Sequence, residues 1–143
     1  MKSRVVNSAR VNGEENGAAI GLKQAGKLRV LLVEDALVAM MIQESLTEFG
    51  FHVMGPVCTV SEAEAVAKDG QADAAVLDIN LGDGPVYSVA EILAARGVPF
   101  VFVTGYDAES VDSRFRDIPV LQKPLDREML QKIFVQREER SVA

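Results

Sequence analysis

From Leu28 onward the chain repeats one cycle: a short run of apolar, often β-branched residues, then a longer stretch with helical spacing. Leu28-Arg29-Val30-Leu31-Leu32-Val33 is the first such run. So apolar and so brief a run is what a strand buried on both faces of a parallel sheet requires. Leu37–Phe49 follows, with Val38, Met41, Ile42, Leu46 and Phe49 on a helical period, and stops at Gly50, a good C-terminal cap. Strand-like runs recur at 51–57, 73–78, 98–103 and 118–121, and helix-like stretches at 60–69, 85–96, about 107–115 and 125–137. The second run is interrupted by His52, read as an ordinary strand-end histidine, and by Gly55-Pro56. Five strands alternating with five helices predict an α/β fold: a parallel sheet covered by helices on both faces and joined by right-handed crossovers.

The 143 residues fit one domain with a substantial core; 48% are apolar and 25% charged, the balance of a globular chain. No apolar run approaches the ~20 residues of a membrane span, and no signal-peptide stretch opens the chain. The lone Cys58 has no internal disulfide partner, which suits a reducing cytoplasm, and is expected to fill a small space in the core. Residues 1–27 carry five Lys/Arg against two Glu, and the remainder ten against nineteen acids. That acidic body excludes a nucleic-acid surface there, since phosphate binding needs a basic face. Residues 1–26 are punctuated by Gly and Asn without a lasting apolar period and read as a flexible tail. Residues 27–137 form the domain, and 138–143 are a polar end with Glu138-Glu139-Arg140.

In an open α/β sheet the ligand site lies outside the carboxyl ends of the strands. Four of the five expected strands end there in a polar group. The first ends in Glu34-Asp35, the third in Asp78, the fourth in Thr104-Gly105 and the fifth in Lys123-Pro124. Each has a bland alternative. Asp35 is also a natural N-cap, Asp78 opens the loop Asn80-Leu81-Gly82-Asp83-Gly84, and Pro124 suits the first turn of a helix. Glu34 beside Asp35 is harder to explain away, because adjacent acids at one strand end repel unless a cation is near. Together the groups suit phosphoryl transfer, which needs charge neutralised and geometry fixed more than covalent work. Carboxylates would hold a hard cation, Lys123 and Thr104 would face phosphoryl oxygens, and Asp78 would be the nucleophile.

An acid pair, then Asp, Thr and Lys-Pro in that order resembles the receiver domain of two-component response regulators. Val30-Leu31-Leu32-Val33-Glu34-Asp35, Val76-Leu77-Asp78-Ile79-Asn80-Leu81, Phe102-Val103-Thr104-Gly105 and Leu121-Gln122-Lys123-Pro124-Leu125 carry the resemblance. It implies a flavodoxin-like doubly wound (βα)5 fold with strand order 2-1-3-4-5. It implies Asp78 as phosphoacceptor, Mg2+ (or Mn2+) held by Glu34, Asp35, Asp78 and the carbonyl of Asn80, Thr104 as switch hydroxyl and Lys123 as phosphoryl-binding lysine. The Lys123-Pro124 bond is usually cis in the family. The donor would be a phosphohistidine of a sensor kinase or phosphotransfer protein, and His52 is no candidate for that role.

The match has three departures. Val120 stands where the family usually has Tyr or Phe, Leu81-Gly82 replaces a common Met-Pro, and Phe102-Val103-Thr104-Gly105 only partly resembles a Phe-Ala-Thr-Gly subgroup of mostly stand-alone receivers, since Tyr106-Asp107 follows directly. Asn80 and Tyr106 occupy positions where the family tunes autodephosphorylation. With a polar finish after the last helix, no output domain is expected, so signalling would run through contacts with a downstream protein, a homodimer, or phosphate shuttling. Two rivals are a pseudo-receiver that is never phosphorylated and a Mg2+-dependent phosphatase; the latter usually needs an acid where Asn80 stands.

Overall fold

The computed structural model describes residues 27–105 and 111–135. The expected tail 1–26, residues 106–110 with Tyr106, and the end 136–143 lie outside the described residues. Strands β1 (Arg29–Val33), β2 (His52–Val57), β3 (Ala74–Asp78), β4 (Phe100–Thr104) and β5 (Val120–Gln122) form one parallel sheet in the order β2-β1-β3-β4-β5. This is the doubly wound order expected. β3 and β4 are buried along their whole length, and β1 from Val30 on, because helices cover both faces.

Side chains alternate between two cores. Val30, Leu32, Val76, Val101 and Val103 pack on one face with α1 (Ala36–Glu48) and α4 (Arg127–Phe134). Leu31, Val33, Leu77, Phe100 and Phe102 pack on the other with α2 (Val60–Asp69) and α3 (Tyr87–Ala95). Asp35, Thr59 and Asp126 each cap a helix by accepting backbone N–H bonds, at 3.1, 3.2 and 2.9 Å.

Three expectations needed correction. The stretch expected as a helix from residue 85 begins at Tyr87, because Asn80–Leu81 and Gly84–Pro85 pair as a two-residue antiparallel ribbon. In the described part of the helix expected at 107–115 there is only a 3-10 turn, Ser113–Phe115. There Asp112 accepts from Arg114 N at 2.9 Å and gives its own N–H to the Tyr87 hydroxyl at 3.0 Å, so side chains take the bonds a longer helix would use. Pro119 closes the segment, since the residue before a proline avoids helical backbone. Cys58, expected in the core, is exposed. The β1–β2 register shifts between Leu31 and Val33, so Val57 takes the buried position and the next residue points out.

Candidate functional site

The strand register brings the polar tips to one edge: Asp78 lies beside Val103, and Thr104 beside Gln122. The Lys123 N–H donates to the Thr104 carbonyl at 2.8 Å, which seats the lysine next to the end of β4. Its ammonium then lies 3.0 Å from Glu34 Oε2, 3.4 Å from Glu34 Oε1 and 3.5 Å from Asp78 Oδ2. Glu34, Asp78 and Lys123, far apart in sequence, are thus one cluster. Thr104 is buried at the same edge. The Lys123-Pro124 peptide is cis, as the resemblance implies. Among the described residues, a side-chain carbon added at Gly105 would meet no atom within 4 Å.

Glu34 is 1% exposed, yet it carries a charge-bearing group with few partners. Oε1 accepts from Asp35 N at 3.2 Å, whereas Oε2 has the ion contact with Lys123 but no hydrogen bond among the described residues. Burial, and then the neighbouring Asp78 carboxylate, push the Glu34 carboxyl up to about 7 against the pull of Lys123. Burial alone would make the Lys123 ammonium more acidic; Glu34 and Asp78 outweigh it and raise its pKa. Asp78 is held by its own loop, with Oδ1 accepting from Asn80 N at 3.3 Å.

Asp35 is exposed, and its Oδ1 accepts from Leu37 N and Val38 N, both at 3.1 Å. The capping reading of Asp35 is what the structure shows. Among the described residues no three acidic, His or Cys side chains converge as a metal cage by themselves. The donor set nevertheless suits a hard cation: oxygens only, two carboxylates facing one ammonium, and a buried carboxylate oxygen without a hydrogen bond. Such an ion is commonly held by one or two carboxylates, with water filling the rest of its shell.

Sequence reasoning missed the contacts of two residues, Asp83 and Tyr87. Asp83 Oδ1 accepts from Val60 N at 2.8 Å, tying the loop after Asp78 to the start of α2. Tyr87 stacks on Phe115 with 5.7 Å between ring centroids and meets Phe102 edge-on at 5.9 Å. Gly82-Asp83-Gly84 read only as a turn, and no local signal pairs either residue with a partner more than twenty positions away.

No protein-family model matches the chain. The transcriptional regulatory protein PdtaR of Mycobacterium tuberculosis is 32% identical over 92 residues, which are 62% of this chain and 44% of that protein. The chain therefore spans less than half the length of the curated relatives it matches. Among solved structures, SdrG from Sphingomonas melonis Fr1 is 45% identical with a TM-score of 0.66, over 77% of this chain and 94% of that one. The receiver domain of the sensor histidine kinase PA1611 from Pseudomonas aeruginosa PAO1, solved with a magnesium ion coordinated in its active-site cleft, is 29% identical. Its TM-score is 0.62, over 75% of this chain and 93% of that one.

Proposed function

The chain belongs to the receiver-domain family of response regulators, and from that premise we propose that it accepts a phosphoryl group on Asp78 and relays it as a signal. The observation that carries the reading is the cluster in which Lys123 lies 3.0 Å from buried Glu34 and 3.5 Å from Asp78 at the ends of three strands. An Asp78 oxygen attacks the phosphorus of a phosphohistidine on a sensor kinase or phosphotransfer protein. The P–N bond breaks, its electron pair stays on the imidazole, and an acyl phosphate forms on Asp78. The Asn80 N–H orients the carboxylate, Lys123 neutralises phosphoryl oxygens, and the Thr104 hydroxyl donates to one of them. Water later cleaves the acyl phosphate and restores Asp78, so the chain is a switch and not an enzyme acting on outside substrates.

Glu34, Asp35, Asp78 and the Asn80 carbonyl would hold Mg2+, which supplies charge neutralisation for the transferring group. The buried, imperfectly bonded Glu34 oxygen supports that assignment. No helix among the described residues is long and apolar enough to cross a membrane. We assign the protein to the cytoplasm, where its donors would reside and a lone cysteine stays reduced. Output runs through a protein partner, or the phosphoryl group is passed on. Leu37 and Met40, 78% and 64% exposed on α1 just past Asp35, offer apolar contact area for a docked protein.

One observation favours the pseudo-receiver: Asp35 Oδ1 is engaged as the cap of α1, accepting from Leu37 N and Val38 N. Intact-mass measurement after incubation with acetyl phosphate and Mg2+ separates the two. The natural protein should gain one phosphoryl group, Asp78→Ala none, and chelation of Mg2+ should abolish the gain. No gain in the folded natural protein, even with a competent donor kinase, would leave the pseudo-receiver standing.

A further inference from the structure

The loop after Asp78 is built as a short ribbon, and short ribbons do not hold themselves. Only Asn80↔Pro85 and Leu81↔Gly84 pair, whereas an isolated two-stranded hairpin is marginal at best even when longer. Its turn is Gly82-Asp83-Gly84; Gly84 has φ +136, and a side-chain carbon at Gly82 or Gly84 would touch nothing within 4 Å among the described residues. Such a turn has little stiffness of its own. At its base the ribbon is held chiefly through Ile79, with Asn80 itself tied only by a long contact. Ile79 N donates to Val103 O at 3.0 Å, Val86 N to Ile79 O at 2.8 Å, and Asn80 N to Asp78 Oδ1 at 3.3 Å.

Its far end is fixed from outside. Asp83 Oδ1 accepts the backbone N–H of Val60 at 2.8 Å. Val60 is the first residue of α2, where backbone N–H groups lack helical partners and a carboxylate is favoured by the helix dipole. The neighbouring N–H of Glu62 is taken by Thr59 Oγ1, so the two acceptors divide the helix start between them. This anchor is not an arbitrary piece of surface. The strand leading into it ends at Val57, whose carbonyl accepts from Glu34 N at 3.1 Å. The β2–α2 connection therefore touches both the segment that seats Glu34 and, through Asp83, the ribbon that starts at Asn80.

We propose that Asp83 is a positioning residue for cation binding: by pinning the ribbon turn to the first turn of α2, it fixes the backbone of Asn80 relative to Glu34 and Asp78. The inference rests on the functional reading above, which gives the Asn80 carbonyl to the cation. Asp83 does not itself touch the phosphoryl group or the acceptor; it acts through the two-residue ribbon. Its loss should weaken the cation and leave the chemistry of the loaded site nearly intact.

The test titrates Mg2+ alone into the full chain by calorimetry, and separately follows acetyl phosphate labelling against Mg2+ concentration, for the natural protein, Asp83→Ala and Asp83→Asn. Circular dichroism establishes that each is folded. In Asp83→Ala both the Mg2+ dissociation constant and the half-saturating Mg2+ should rise about 10-fold, with the rate at saturating Mg2+ within about twofold of natural. Asp83→Asn keeps an acceptor oxygen for Val60 N and should fall between the two, a rescue that a general loss of stability would not produce. Unchanged Mg2+ affinity in Asp83→Ala, beside a natural protein that binds Mg2+ and is labelled, overturns this proposal alone. A natural protein that neither binds Mg2+ nor is labelled overturns the functional reading and this proposal with it.

Discussion

The bodies of the strands and their carboxyl tips are built on opposite physical terms. In the bodies β3 from Ala74 to Leu77 and β4 from Phe100 to Val103 are apolar and buried, and each of the two strands has a paired neighbour on either side. At the tips Glu34, Asp78 and Thr104 are buried as well, but two of them are acids that face one lysine. Burial that stabilises Leu77 works against the charge of Glu34. The contrast teaches where stability and function separate in this fold. The body sets the positions of the tips, and the tips keep an electrostatic tension that a bound cation would relieve.

The largest expected effect lies in the body. Phe102 is fully buried and meets Phe100, Phe115 and Tyr87 edge-on at centroid distances of 5.5–5.9 Å. Phe102→Ala removes this contact and leaves a cavity, and should lower the unfolding free energy by about 3–5 kcal/mol in urea denaturation. A loss below about 1 kcal/mol would mean that the aromatic cluster relaxes into the space, and that this part of the body is not a rigid frame.

The tips should give a smaller effect, and one that depends on pH. Glu34 rises from its ordinary 4.5 to about 7 in the folded protein, chiefly through burial. The folded state therefore holds this proton more tightly than the unfolded chain does. Its contribution is fully present below pH 4.5, declines as pH rises, and is lost above about 7. At 1.36 kcal/mol per pKa unit, Mg2+-free protein should lose at most about 3 kcal/mol from this group across that window. Glu34→Gln has no such proton and should flatten the decline, and so should saturating Mg2+. Denaturation curves at pH 5 and pH 8, with and without chelator, read both. Equal slopes in the natural protein and Glu34→Gln would remove Glu34 as the source of the tension.

The same contrast explains what was legible in the sequence. Strand bodies announce themselves by continuous apolar runs, and the polar residues ending them stand out because nothing in a strand body resembles them; hence Glu34, Asp78, Thr104 and Lys123 read as one group from the sequence alone. Asp35 was legible twice, as acid and as cap, and the capping contact is the one the structure shows. What stayed hidden depends on distant partners. Nothing near Asp112 says that its N–H will meet the Tyr87 hydroxyl and that only a 3-10 turn will follow. Nothing near Cys58 says that the β1–β2 register slips at Gly55-Pro56 and turns the cysteine outward. The ribbon between Asn80 and Pro85 was hidden for the same reason, since a two-residue pairing leaves no period to read.

The smallest effect should come from the surface that joins the two helices over one face of the body. Arg127 Nε lies 2.8 Å from Glu48 Oε1, and its guanidinium sits 5.0 Å from the Phe49 ring centroid, so this side chain links α4 to the end of α1. Both charged side chains are more than half exposed, at 52% and 53%, so water screens the pair and ordering two long side chains offsets much of the attraction. Leu130, Ile133 and Phe134 on α4, buried against Ile42 and Leu46 on α1, hold the same two helices without help from charge. A double-mutant cycle of Arg127→Ala and Glu48→Ala should therefore return a coupling of about 0.5 kcal/mol, falling further in high salt. A coupling above about 1.5 kcal/mol would mean that charge contributes to the body as well as to the tips, and the line drawn between them at Glu34 and Asp78 would have to move outward to include this ion pair.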